Sequence, residues 1–180
     1  MLLPVYWRKP VDPLGTTSLR MTVLPNDLDF NGHVNNGRYL TLAGVGRMDF
    51  VIRSGTARVA IAQRARPIVG DAMAKFCRNL KPFERFDLQT RLLGWDEKWI
   101  FIEHRFVRHG RVLGIVVVRG LFKAPSGPVK PSVFAAVLGV SAVSPQLPSW
   151  VAEWNRSGET LSNALRLEEQ TAEPNPVVDV

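Results

Sequence analysis

The chain has 180 residues, 46% of them apolar, and a net charge of +7 from 23 Lys and Arg against 16 Asp and Glu. That length gives one domain with room for a real core, and the composition is that of an ordinary globular protein. No apolar run is long enough to span a bilayer, and a single cysteine, Cys77, excludes an intrachain disulfide and a Cys-based metal cluster.

The N-terminus, MLLPVYWRKP, sets Pro4 inside its apolar residues and its charges after them. That is the wrong order for a secretory signal. Together with the one cysteine it points to a cytoplasmic protein. Residues 1–15, with Pro4, Pro10, Pro13 and Gly15, read as an irregular arm that Tyr6 and Trp7 could pin to the body. Residues 16–24 alternate Leu19, Met21 and Val23 with polar neighbours, the pattern of a half-buried strand. Pro25 ends it.

A polar stretch follows, Asp27-Leu28-Asp29-Phe30-Asn31-Gly32-His33-Val34-Asn35-Asn36-Gly37-Arg38-Tyr39-Leu40. Asn, Asp and Gly alone would make a turn and a helix cap. A His within the same few residues adds a proton carrier, and an imidazole near a carboxylate between two rigid elements is a plausible catalytic pair. A helix then runs from Asn36 to Arg53, capped by Asn35 or Asn36 and stopped by Ser54-Gly55. Leu40, Ala43, Arg47 and Val51 form its stripe, with Met48 and Ile52 widening it. Gly44 and Gly46 cost the helix up to about 1 kcal/mol each relative to Ala, and they allow close approach to a sheet.

Residues 56–66 read as a loop or short helical turn. Four strand-like runs come next: Ile68 to Asn79, Phe86 to Trp95, Trp99 to Arg108 and Val112 to Lys123. Cys77 falls in the first and reads as a small buried apolar residue. His104 shares a face with Ile100, Ile102 and Phe106, as a core histidine would, and His109 sits in a hairpin turn. Residues 124–132 are a proline-rich break. Phe134 to Val140 reads as a short helix, Trp150 to about Glu169 as a longer one, and the last ten residues as disordered. One strand, one helix and a run of antiparallel strands make an α+β order. The domain limits are an arm at 1–15, a core domain at 16–124 and a partly helical extension at 125–180.

The pattern Asp29-x-Asn31-x-His33-Val34-Asn35-Asn36-x-x-Tyr39 resembles the signature of hot-dog-fold acyl thioesterases, the 4-hydroxybenzoyl-CoA thioesterase-like group, and is closer to the equivalent stretch of plant acyl-ACP thioesterases. Gly94-Trp95-Asp96-Glu97-Lys98-Trp99 with His104-Arg105-Phe106 is similar to the thioesterase superfamily member six group. The resemblance covers residues 16–124. It implies a hot-dog fold, a curved antiparallel sheet wrapped around a long central helix. It implies acyl-CoA thioester hydrolysis by Asp29 as base or nucleophile, with His33 and Asn31 assisting, and it implies a homodimer or dimer of dimers with sites at the subunit interface. Backbone amides around Asn35 to Gly37, at the start of the helix, suit an oxyanion. Asn35, Asn36, Gly37 and Tyr39 are the substrate-binding candidates of the motif. Arg64, Arg66, Lys75 and Arg78 are candidates for the phosphates of coenzyme A on charge alone.

The basic balance also suits nucleic acid, but no aromatic-rich or helix-turn-helix motif accompanies it. Three His with no pair at metal spacing make a catalytic metal unexpected, and no cofactor is implied beyond the coenzyme A of the substrate. An acyl-ACP thioesterase or a hydratase on the same fold stays open, as does a non-catalytic binder of acyl-CoA or of a protein. Hydratases of this fold usually carry Asn-Pro before the His, whereas Asn31-Gly32 stands here.

Overall fold

Apolar alternation along the strands builds one antiparallel sheet, seen in a computed structural model that describes residues 8–171. The elements run β1 (Thr16–Thr22), α1 (Asn36–Arg53), α2 (Thr56–Ala62), β2 (Arg66–Phe76), β3 (Arg85–Trp95), β4 (Ile100–Arg108), β5 (Arg111–Ala124), β6 (Gly127–Val129), α3 (Pro131–Leu138) and α4 (Ser149–Thr171). The strand order is β1-β3-β4-β5-β2, with β6 paired to the end of β5. β1 and β2 are therefore the edges. The sheet curls around α1, the hot-dog arrangement.

In β3, Phe86, Leu88 and Thr90 point inward in alternation. β4 and β5 are buried on both faces over most of their length, as their near-continuous apolar sequence requires. The main core joins Leu88, Phe106, Val116 and Val118 of the sheet to Tyr39, Leu42 and Ala43 of α1. A second cluster joins Val59 and Ala60 of α2 to Phe122 of β5 and Phe134 of α3, the two phenylalanine rings stacking 4.5 Å apart.

α1 has the bounds read from the sequence. Asn35 caps it by accepting the Gly37 N–H at 2.8 Å, and Gly55, at φ 82°, takes the left-handed conformation past its end. Its buried face differs from the expected stripe. Tyr39, Leu42, Ala43, Gly46, Asp49 and Phe50 are buried, while Leu40 and Met48 are exposed. The face is turned by about one residue, or about 100°. Asp49 and Gly46 dilute the apolar signal on the face that packs, whereas Leu40 and Met48 strengthen it on the face that does not. Gly46 meets the requirement for close approach: an added Cβ would sit 2.5 Å from Thr90 Oγ1 and 2.9 Å from Leu88 Cδ2. Gly44 faces open space apart from the Arg47 side chain.

Two other expectations change. Cys77 is exposed, because β2 ends at Phe76 and the chain turns outward, with both the Cys77 and Arg78 N–H groups donating to Leu113 O. The proline-rich break contains β6, which pairs Val129 with Phe122. The 56–66 segment, expected as a loop or short helical turn, holds the short helix α2. The expected roles of Tyr6 and Trp7 and the disordered last residues lie outside the described residues. The chain divides into one unit up to Gln146 and a second from Leu147. The first holds the sheet and α1 to α3, and the second holds α4. No helix among the described residues is long and apolar enough to cross a membrane.

Candidate active site

The polar stretch between β1 and α1 folds into a narrow turn closed by a bridge between Leu28 and Val34. Asp29 holds it twice through its backbone: its N–H donates to His33 O at 2.9 Å, and its carbonyl accepts the Gly32 N–H at 3.1 Å. Its carboxylate Oδ1 accepts the Asn31 N–H at 2.9 Å. Asp29 is half-buried, and Phe30 at the tip is fully exposed.

The rigidity of this turn comes from a residue that carries no expected role, Asp27. It is 4% exposed, and its two oxygens serve two elements. Oδ1 accepts from Arg38 Nε at 2.9 Å and Nη2 at 2.6 Å, and Oδ2 accepts the Leu24 N–H at 2.8 Å. The Asp27 carbonyl accepts the Asn35 N–H at 2.8 Å. The first turn of α1 is thus tied to the end of β1 by a charge-assisted clamp. Two Asp stand two apart in the sequence, at 27 and 29. Which one faces the core is decided by packing that no local pattern reports.

His33 is half-buried, and its Nε2 lies 3.1 Å from Asn79 Nδ2. With the Asn79 amide nitrogen as donor, His33 Nε2 is the acceptor of this bond. Asn79 lies 46 residues away in the loop after β2, and nothing local marks it as a partner. Among the described residues no hydrogen bond joins the side chains of Asp29 and His33.

Asn31, Asn35, Asn36 and Gly37 are all exposed. Of the amides at the start of α1, that of Asn35 is used by Asp27 O, that of Gly37 by Asn35 Oδ1 and that of Arg38 by Asn35 O. The Asn36 N–H is the first-turn donor left open among them, and it stands at the positive end of the helix. Tyr39 is 3% exposed, with its ring 5.0 Å from Phe76 and 4.7 Å from Phe106. Burial, and then the neighbouring Cys77, raise its hydroxyl pKa. Tyr39 seats α1 on the sheet.

The four basic candidates do not meet in one chain. Arg64, at φ 51°, and Arg66 precede or open β2, while Lys75 and Arg78 stand at its other end. The strand between them spans roughly 33 Å at the usual rise. Arg78 shares a cleft with Asn79, Lys81, Glu84, Arg108, His109 and Arg111; Glu84 pairs with Arg108 at 2.7 Å, and the balance at this end of the sheet, next to His33, is still basic.

His104 differs from His33 in every respect. It is fully buried, and its Nδ1 lies 3.0 Å from Thr90 Oγ1. Burial, then the charge of Arg47, lower its pKa to about 3. Among the described residues its Nε2 has no hydrogen-bond partner.

The sequence profile of the thioesterase-like superfamily matches residues 23–154. Protein THEM6 of Xenopus laevis is 31% identical over 147 residues, which cover 81% of this chain and 70% of that protein. The thioesterase poxG of Penicillium oxalicum is 23% identical over a match covering 80% of this chain and 59% of its own length. The solved structure of a gentisyl-coenzyme A thioesterase aligns with a TM-score of 0.57 at 18% identity, covering 68% of this chain and 98% of that one, a likeness of fold. This chain therefore spans 70% and 59% of the two curated relatives.

Proposed function

Because the chain belongs to the thioesterase-like superfamily, we propose that it hydrolyses acyl-CoA thioesters at the turn carrying Asp29. Family membership and the thioesterase names of relatives support thioester hydrolysis in general. The observation that carries the finer reading is the company kept by Asp29. One turn presents a carboxylate with one oxygen engaged among the described residues, an imidazole held by Asn79, and the open Asn36 N–H.

The chemistry follows from these groups. Asp29 takes a proton from a water that attacks the thioester carbonyl, or attacks the carbonyl itself to give a mixed anhydride that water then hydrolyses, and in either route the carbonyl oxygen becomes an oxyanion. The Asn36 N–H donates a hydrogen bond to that oxyanion in the field of α1, worth roughly 10²- to 10³-fold for one good donor. The carbon–sulfur bond breaks, and the thiolate leaves and takes up a proton. His33, fixed by Asn79, orients the carboxylate or water, and the exposed Asn31 amide can hold the water. Asn35 and Gly37 shape the cap around the open amide.

The site is completed by a second copy in this reading. Among the described residues β2 is an edge strand with one side unpaired, and Ile68, Val69 and Phe76 on it are exposed, as is Phe30 on the turn. A two-fold axis through such an edge pairs the strand antiparallel to itself. The partner's Arg66 would then approach Lys75 and Arg78, bringing together basic groups that one chain holds apart, at the end of the sheet that carries His33. Such a cluster suits the phosphates of coenzyme A. A homodimer, or a dimer of dimers, is the assembly proposed. A cytoplasmic location is supported by the single cysteine.

The test is release of free thiol from a panel of acyl-CoAs and acyl carrier-protein thioesters, alongside hydration of an enoyl-CoA. Thiol release from the CoA esters is the expected result. Release only from carrier-protein thioesters would move the assignment to the acyl-ACP enzymes, and hydration without thiol release to a hydratase. Saturable acyl-CoA binding with neither reaction would make it a binding domain.

A further inference from the structure

β1 goes on pairing past its last residue. The Val23 N–H donates to Glu84 O at 3.0 Å, and Val23 O accepts the Phe83 N–H at 3.0 Å. The β1–β3 register, with Thr22 opposite Arg85, therefore continues and sets Leu24 opposite Phe83. Both face solvent, Leu24 50% and Phe83 69% exposed. Lys81-Pro82-Phe83-Glu84 is a turn closed by the Glu84 N–H on Lys81 O at 3.2 Å. Pro82 stands second in it and Phe83 third, at φ 62°, the order of a type II turn. The third position of that turn needs a left-handed backbone and ordinarily takes Gly or Asn. A Phe there carries backbone strain and also leaves a large apolar ring in water. Neither cost serves the fold, because Gly would close the same turn. The chain spends both on displaying a ring.

The groups around this apolar knob are cationic. Two clefts meet at the β4–β5 hairpin, sharing Arg108 and His109, and they hold Arg20, Arg78, Lys81, Arg85, Arg108 and Arg111 against Glu84 and Asp87. Arg108 pairs with Glu84 at 2.7 Å, and Arg20 with Asp87 at 3.2 Å. Lys81, Arg85 and Arg111 are exposed, and among the described residues no acid pairs with them. Arg108 and Arg111 face each other across the hairpin, where like charges weaken it. We propose that this end of the sheet docks on the surface of an anionic phospholipid bilayer. Phe83 and Leu24 enter the headgroup layer, and Lys81, Arg85 and Arg111 meet lipid phosphates. An acidic protein fits the patch less well. A stable protein interface buries about 800 Å² on each side, which two side chains on adjoining turns do not supply. A lipid interface takes up separate apolar side chains and answers diffuse positive charge, each basic residue multiplying affinity about fivefold. The patch lies at the β1 edge, whereas the pairing proposed for a second copy uses the β2 edge. The loop that carries Phe83 also carries Asn79, the partner of His33, so docking sets the candidate site beside lipid. Docking here is independent of the thioesterase reading.

The test is flotation of the full chain with vesicles of phosphatidylglycerol and phosphatidylcholine in equal parts, beside vesicles of phosphatidylcholine alone. Binding to the first should be saturable and about tenfold tighter or more, and added salt should weaken it. Phe83→Gly should lower affinity for the anionic vesicles about tenfold, the loss expected for one buried ring. Its melting temperature should not fall, because glycine suits the third position of the turn. Lys81→Glu combined with Arg111→Glu should abolish binding. Asp29→Ala should float as the wild type does, so loss of thiol release in that variant with binding intact separates this surface from the catalytic reading. Inorganic phosphate at the concentration of the lipid phosphate should leave the protein on the vesicles, and its release would mean a free-phosphate site and overturn the proposal. Equal binding to the two kinds of vesicle, no binding to the anionic ones, or undiminished binding in Phe83→Gly would overturn it as well. Retention on immobilised polyglutamate without vesicle binding would give the surface to an acidic protein instead. The two-vesicle comparison needs no variant, so it decides the matter even if the double variant does not fold.

Discussion

His33 and His104 carry the same ring into opposite surroundings. His33 stands on an accessible turn, held by one amide donor from Asn79, within a few residues of a carboxylate and an open backbone N–H. His104 is shut beneath α1, bonded to Thr90 and with one nitrogen unmatched. Chemistry needs a proton carrier that substrate can reach, so only the first region can act on a ligand from solution. The second shows what burial does to the same group: it removes the charge and leaves a packing residue with a polar cost.

The largest effect expected on this comparison comes from the clamp beneath the turn. Arg38→Ala leaves the buried Asp27 carboxylate with only the Leu24 N–H, and breaking a buried pair in this way costs about 3–5 kcal/mol. Arg38 is itself part-exposed, so the lower end of that range is expected. Urea unfolding of wild type and variant checks it. A cost below 1 kcal/mol would mean that the turn is not held by Asp27.

His104 gives the next effect, and its sign is fixed. The folded pKa of about 3 lies below the ordinary 6.5, so the unfolded chain binds a proton that the folded chain refuses. Stability attributable to this residue is intact above pH 6.5 and falls by about 1.4 kcal/mol per unit as pH drops from there toward 3. In His104→Leu that slope should be reduced by one proton over the same window, measured by denaturant unfolding at a series of pH values. Identical slopes in the two proteins would place His104 in a wetter site.

The smallest effect belongs to Asn79. Asn79→Ala should change stability by no more than about 0.5 kcal/mol, because the side chain is at the surface. Thiol release should fall, but by less than the roughly 10²-fold that loss of a general acid or base costs. The pH profile of kcat/KM should also shift, since His33 loses its hydrogen bond with Asn79. An unchanged profile would make Asn79 a bystander.

Local chemistry made some of this legible in the sequence. The bounds of α1 could be read from Asn35 and Ser54-Gly55, because capping and a left-handed stop are properties of neighbouring residues. The alternation in β3 and the apolar run of β5 were likewise readable. The rotation of α1 was not, because Gly46 and Asp49 lie on the packed face for reasons of approach and pairing, with Asp49 bonded to Arg53. The turn from Asp29 to Asn36 stood out as one continuous stretch. Asp27 and Asn79 did not: one is distinguished from Asp29 only by burial, and the other arrives from across the chain.

The central claim is that the Asp29 carboxylate does the chemistry, and thiol release by Asp29→Asn measures it most directly. The substitution keeps an oxygen to accept the Asn31 N–H, so the turn persists while the charge and the basicity go. The expected result is a fall in kcat of about 10²- to 10⁴-fold, with the melting temperature within about 2 °C of the wild type. A variant that hydrolyses acyl-CoA at the wild-type rate would contradict the account.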